Sequence, residues 1–369
     1  VKLHLLQRAP RNANLGSLHL TFFVTAIATE LCIRTQLYLT HYPQLGGHGL
    51  HIAHLLWGGV FMVVALAILL SLLGRRARQV SALVAGVGFG FFIDELGKFI
   101  TADNNYFYKP AAGLIYLIFI GLYLGSRAYQ RHRGLNEAEK VRNAIELIGE
   151  ATYGPFKVEY RDQALALLAE VPSSHSLRDP LVALAGDIDT TPNPSPPWYR
   201  RFADAVAARY QAWSERGWFH NVVFVVFAVW ALAGIVAILG LVLSITFSDH
   251  AARAEFERDS FGHLNFINVA SLVSTGVSSV LVAIGLERLV SQRRLDAYTW
   301  LTRALLVSIF VTRVFTFVES QFGAVFGLAV DVLLLVSIQL MAKQERRREP
   351  SPPPSPRRPA AESAAPAPG

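Results

Sequence analysis

"WFHNVVFVVFAVWALAGIVAILGLVLSITF", residues 218–247, runs for thirty residues without an aspartate, glutamate, lysine or arginine. A bilayer's hydrocarbon core is about 30 Å thick and takes about 20 mostly apolar residues in helical form. The stretch therefore predicts a membrane-spanning helix, and the remaining sequence has the same character. The 369 residues are 52% hydrophobic and 17% charged, with a mean hydropathy of +0.35, which is too apolar for an ordinary soluble domain. Eight stretches qualify as spans: 18–40, 51–73, 80–101, 111–128, 218–247, 264–287, 297–318 and 321–342. The expected fold is an all-α polytopic membrane protein. Four spans lie in 1–128 and four in 218–342, with an insert at 129–217 and a tail at 343–369.

Lysine and arginine set the orientation. With eight spans and a cytoplasmic N-terminus, the cytoplasmic segments would be the N-terminal arm, "GRRARQ" at 74–79, the insert, "ERLVSQRRLD" at 287–296 and the tail, which together hold nearly all the basic residues. The opposite side keeps only Lys109, Arg253 and Arg258. The net charge of +7 and pI of about 9.6 thus reflect positive-inside loops facing an anionic leaflet, and nothing indicates nucleic acid. The expected topology is multi-pass, with both termini on the cytoplasmic side. A single cysteine, Cys32, excludes an intramolecular disulfide and says nothing of the redox compartment. No apolar core precedes the first span, so that span is expected to act as its own insertion signal.

Within the insert, "GLNEAEKVRNAIELIGEA" is amphipathic, and "RDQALALLAEV" and "DPLVALAGDI" read as shorter helices around "PSSHS". They predict a small helical module that docks on the cytoplasmic face or recruits a protein partner. After the proline-rich "DTTPNPSPP", the stretch "WYRRFADAVAARYQAWSERGW" repeats aromatics and arginines at helical spacing, which predicts a helix in the membrane surface. The tail from Pro350 is low-complexity and reads as disordered.

"FFIDELGKFITADNN", 91–105, places Asp94, Glu95 and Lys98 near the end of a span. At 1.5 Å per residue, Glu30 lies roughly 15 Å and Arg34 roughly 9 Å from the outer end of the first span. His51 and His54 open the second span, while Arg313 and Glu319 lie late in the seventh. His263 precedes the sixth and Asp331 sits in the eighth. Apart from Arg303 and mid-depth Asp331, the polar intramembrane residues fall in the outward half, so an outward-facing polar cavity is expected. Glu30 with Arg34 and Asp94 with Lys98 are i,i+4, and Glu95 with Lys98 is i,i+3, so each set lies on one helical face and can pair internally. A buried ion network that only fixes helix packing would show the same pattern.

The histidines permit a metal reading: His48, His51 and His54, with Glu95 or Asp94, are ligand types that zinc accepts, although no HExxH signature accompanies them. Haem would need facing axial histidines, a role for which His54 and His263 are the candidates, both at shallow depth. "GVGFGFF" at 86–92 lies inside a span and predicts close helix packing through small residues rather than a phosphate cradle. The outer stretch "TADNNYFYKPAAGLIY" combines turn-forming Asp103, Asn104 and Asn105 with interfacial aromatics, and reads as an aromatic belt or a lid.

The two halves share an order of features. A histidine opens the second span of each (His54, His263), an acidic residue ends the third (Glu95, Glu319), and an aspartate leads into or lies within the fourth (Asp103, Asp331). This predicts a duplication of four-helix units related by an axis along the membrane normal.

"HIAHLLWGG", "FFIDELGKF" and "DNNYFYKPAAG" taken together resemble the bacterial VanZ-like and YjdF-like membrane proteins. The resemblance covers 51–125 and a degraded second copy at 263–342. It implies that His54, Glu95 and Asp103 form the shared pattern, with His263, Glu319 and Asp331 as counterparts, and it implies an envelope role in glycopeptide resistance or lipid handling. Lys98, the doubled architecture and the insert depart from that pattern.

The expected function is a cavity that binds or transports a polar or amphiphilic envelope molecule such as a lipid headgroup. Arg34 and Lys98 would attract an anion, and Glu95 and the histidines would handle protons. The competing readings are an intramembrane metal-dependent hydrolase or transferase using His51, His54, Asp94 and Glu95, and a scaffold whose charges only lock helices together.

Overall fold

Helix forms wherever the hydropathy is high. The computed structural model describes residues 10–40, 54–103, 108–131, 134–193, 195–196, 198–247 and 266–348. In chain order the elements are α1 (Leu15–Leu39), α2 (His54–Ser71), α3 (Arg75–Asp94), α4 (Leu96–Ile100), α5 (Lys109–Arg131), α6 (Glu137–Gly149), β1 (Phe156–Lys157), α7 (Val158–Ala169), α8 (Arg178–Asp187), β2 (Thr190–Thr191) and α9 (Trp198–Ser214). There follow α10 (Gly217–Phe247), α11 (Phe266–Val290), α12 (Arg294–Val307), a π-helical segment (Ser308–Thr312), α13 (Arg313–Ser320) and α14 (Ala324–Arg348).

Among the described residues, six stretches are long and apolar enough to cross a membrane: Leu15–Leu37, His54–Ser71, Lys109–Arg131, Gly217–Gly240, Ala270–Val290 and Arg294–Arg347. The architecture is that of an all-α membrane protein. The last stretch, 54 residues long, runs through α12, α13 and α14 and so takes in two expected spans. The expected third span is not among the six. Its helix α3 begins with Arg75, Arg76 and Arg78, ends at Asp94, and is interrupted at Glu95 before the short α4. Between α13 and α14 the chain breaks at Gln321, whose φ of 49° lies in the left-handed region.

The described residues form two units, each with its own packing. In the first, which includes α1 to α8 and α13, helix α3 lies against α1 on one side and α2 on the other, and its glycines set the distance. A Cβ at Gly86 would stand 2.5 Å from the Phe22 carbonyl oxygen, and one at Gly90 2.6 Å from that of Ala26. On the other side, a Cβ at Gly88 would stand 2.8 Å from the Gly58 carbonyl oxygen of α2. Backbone thus meets backbone, as in membrane helices that associate through small residues. Buried Ala26, Ile93, Ile115 and Phe119 fill the space between α1, α3 and α5. Helix α13 packs on α5, with the Tyr116 and Phe317 rings stacked at 4.5 Å.

The insert is a module of α6, α7 and α8 around Ala144, Leu147, Ile148, Phe156, Ala164, Leu168 and Ala185. A two-residue parallel ladder pairs Phe156 with Thr190. Asn136 accepts the Glu139 N–H at 2.8 Å, and Glu139 Oε2 accepts the Asn136 N–H at 2.9 Å, a capping box that starts α6. The same carboxylate accepts Arg11 Nε and Nη2, each at 2.9 Å, and the Arg11 backbone N–H at 3.1 Å. Asn143 adds two bonds to the arm, accepting the Ala13 N–H and donating to the Arg11 carbonyl, both at 2.8 Å. The module also reaches the start of α3, where Glu150 accepts the Arg75 N–H at 2.8 Å and Glu146 pairs with Arg78. Helix α9 shows Trp198, Phe202, Val206 and Trp213 exposed at helical spacing, an apolar stripe suited to a bilayer surface.

The second unit packs four helices. Phe219, Val223, Phe227 and Ala231 of α10 meet Val282 of α11, Tyr298, Leu301, Ala304 and Leu305 of α12, and Leu334, Ile338 and Met341 of α14. Tyr210 of α9 joins them, its hydroxyl 2.5 Å from Ser337 Oγ.

Two outcomes test this packing. Gly88→Val should collapse folded yield in detergent, because its side chain meets the α2 backbone, whereas Gly121→Ala, with nothing within 4 Å, should leave yield unchanged. For the module, the Arg11 hydrogen bond holds the Glu139 carboxyl down from 4.5 to about 2. A depressed carboxyl contributes stability that is present above its unfolded value of 4.5 and lost as pH falls toward about 2. Protection factors of the α6 to α8 amides, taken relative to the intrinsic exchange rate at each pH, should therefore fall across that window, and Glu139→Gln should remove about 2 kcal/mol of protection at neutral pH.

Candidate functional site

The interruption between α3 and α4 is where the polar residues of the first unit gather. Asp94 ends α3 and Glu95 forms the turn; both are fully buried, each at 0% exposure. From α1, Arg34 Nε approaches Asp94 Oδ1 to 2.5 Å, and its Nη2 donates to the Asp94 carbonyl at 2.7 Å. One guanidinium therefore holds both the side chain and the last turn of α3. The Phe322 ring lies under that guanidinium at 4.8 Å, covering it with an aromatic face.

Glu95 turns toward α2. Its Oε1 accepts the His54 backbone N–H at 2.6 Å and lies 3.5 Å from His54 Nδ1. A carboxylate at the first residue of α2 satisfies one of the N–H groups a helix start leaves open and suits the positive end of its dipole. Lys98, one turn later on α4, places Nζ 3.4 Å from Glu95 Oε2. The Phe91 ring packs beside the His54 imidazole.

Glu30, one turn before Arg34 on α1, differs from these. It is 4% exposed, and its Oε1 has no hydrogen-bond partner among the described residues. It lies within electrostatic range of Arg34 and Asp94. The cluster then holds three carboxyl groups, Glu30, Asp94 and Glu95, against two permanent cations, Arg34 and Lys98. One acceptor remains open to a proton or a cationic group.

The spacing argument is corrected in one respect. Glu95 and Lys98 pair along their own chain segment, but Arg34 pairs across helices with Asp94, and Lys98 turns to Glu95 instead of to Asp94. Glu30 and Arg34 share a face of α1 without being principal partners. Asp94 and Lys98 share none, because the turn at Glu95 takes them off a single helix.

The other sequence candidates are dispersed. His48, His51 and His263 lie outside the described residues. Asp103 stands on an exposed turn beyond α4. Glu319 is exposed near the end of α13, unlike its repeat counterpart Glu95. Arg313 lies against Gly327 of α14. Asp331 belongs to the second unit, where it is buried and accepts a bond from Ser308 Oγ of the π-helical segment at 2.8 Å. Among the described residues no three of His, Cys, Asp and Glu converge as a ligand set, and Cys32 is exposed. Of the histidines in the proposed metal set, His54 alone lies within the described residues, and it meets Glu95. Sequence reasoning missed Phe322, which reaches Arg34 through the break at Gln321, and no local signal points to it.

Asp94→Asn should leave the Arg34 cation buried without its carboxylate and lower stability by about 3–5 kcal/mol. Glu319→Gln, on an exposed surface, should stay within about 0.5 kcal/mol of the parent. Thermal unfolding of the two variants in detergent separates them.

No family model matches the chain, and neither does any curated protein or solved structure.

Proposed function

We propose that this chain is a multi-pass protein of a bacterial inner membrane, with eight passes and both termini cytoplasmic, that binds or moves a polar or amphiphilic envelope molecule carrying a cationic group. The observation that carries this reading is Glu30, a buried carboxyl with an open acceptor beside a tightly held ion pair. Membrane-embedded ionisable groups are costly and rare, and by default they mark ligand or proton paths. Arg34 and Lys98, occupied by Asp94 and Glu95, serve as fixed supports in this reading rather than as the anion-attracting groups that composition suggests. The ligand group that complements the cluster is an ammonium, as on an amine-bearing phospholipid, and a proton on Glu30 is its counterpart in the empty state.

A scaffold reading has its own support, since every other charge of the cluster has a partner. The two differ in what Glu30 does. Native mass spectrometry of the purified full chain should show retention of phosphatidylethanolamine above its N-acetylated form. Glu30→Gln should remove that preference while leaving thermal unfolding and yield as in the parent. An unchanged preference in Glu30→Gln would sink the binding reading and leave the scaffold.

A further inference from the structure

We propose a second, separate ligand site: the seam between α12 and α14 holds the headgroup of an anionic phospholipid. The seam contains a cavity of about 540 Å³ whose lining includes Arg303, Lys343, Arg346 and Arg347, together with Gln339 and Thr302. No carboxylate lines it. None of the four cations forms an ion pair among the described residues; the nearby Glu345 instead faces Arg294 at 3.6 Å. The local field is therefore uncompensated and complementary to a phosphodiester.

Depth makes the feature more than a basic helix end. Arg303 lies nine residues past Arg294, roughly 14 Å along α12, and Gln339 lies seven and eight residues before Arg346 and Arg347, roughly 11 Å along α14 from that basic mouth. A guanidinium placed there is disfavoured in hydrocarbon. Its one described contact is the Trp300 ring at 4.7 Å. A bound phosphodiester would supply the missing counter-charge, and guanidinium groups suit phosphate through paired N–H donors.

The neighbouring surface selects a lipid over a free anion. One turn beyond Arg303 on its own face is exposed Leu306, and one turn beyond Gln339 is exposed Val336. The basic floor is thus continued by apolar side chains, which fits a headgroup with its acyl chains attached. Basic pockets between spanning helices recognise anionic headgroups in this way.

The test uses the full chain, delipidated in detergent and titrated with phosphatidylglycerol or phosphatidylcholine under native mass spectrometry. Phosphatidylglycerol should be retained in preference, and each cation removed should weaken it about fivefold. Arg303→Gln and the double variant Arg346→Gln/Arg347→Gln should both show the loss, while Arg303→Lys should keep most of the affinity. Because Arg346 and Arg347 are exposed at a helix end, the double variant remains a valid test if Arg303→Gln fails to fold. Equal retention of the two lipids, or unchanged retention in the double variant, would overturn the proposal. Displacement of phosphatidylglycerol by inorganic phosphate at comparable concentration would overturn it in favour of a soluble anion.

Discussion

Close backbone approach at the glycines of α3 is the constraint on which the first unit depends. Lipid offers no hydrophobic reward for bringing helices together, so association rests on contact between surfaces that fit. Helix α3 carries three arginines in its first turn and Asp94 at its end, and it does not qualify by itself as an apolar span. Its small face at Gly86, Gly88 and Gly90 lets α1 and α2 close over it. That closure, made over little more than one turn, brings Arg34 and His54 to the end of α3 where Asp94 and Glu95 are buried. Without the glycines, the carboxylates would have no partners within reach.

The charges are arranged so that each buried carboxylate of the turn performs two tasks. Asp94 binds Arg34 through both its side chain and its carbonyl; Glu95 caps the start of α2 while meeting Lys98. Such a network is stable only while complete, since removal of one partner leaves an uncompensated ion. Glu30 stands outside this reciprocity: it is buried, and its Oε1 has no hydrogen-bond partner among the described residues.

Much of the helical architecture was legible from hydropathy, because an apolar run of span length has few alternatives. The interruption at Glu95 was not legible, since 80–101 reads as one continuous run. The pairing of Arg34 with Asp94 was also hidden, because residue spacing specifies faces within a helix and not the register between helices. The capping box at Asn136 and Glu139 was present as a local N-x-x-E pattern ahead of an amphipathic helix, but its further engagement by Arg11 depends on a contact across 128 positions. The proposed repeat illustrates the same limit. Glu95 and Glu319 share a sequence frame, yet one is buried and the other exposed.

The arm held by Glu139 and Asn143 also imposes an order on assembly. Arg11 emerges 128 residues before its partner, an interval of roughly 6 to 25 s at ordinary rates of synthesis. Throughout that interval the residues just ahead of α1 have no module to bind. The arm is thus a late clasp: it closes only once the start of the insert has been made, 128 residues after Arg11.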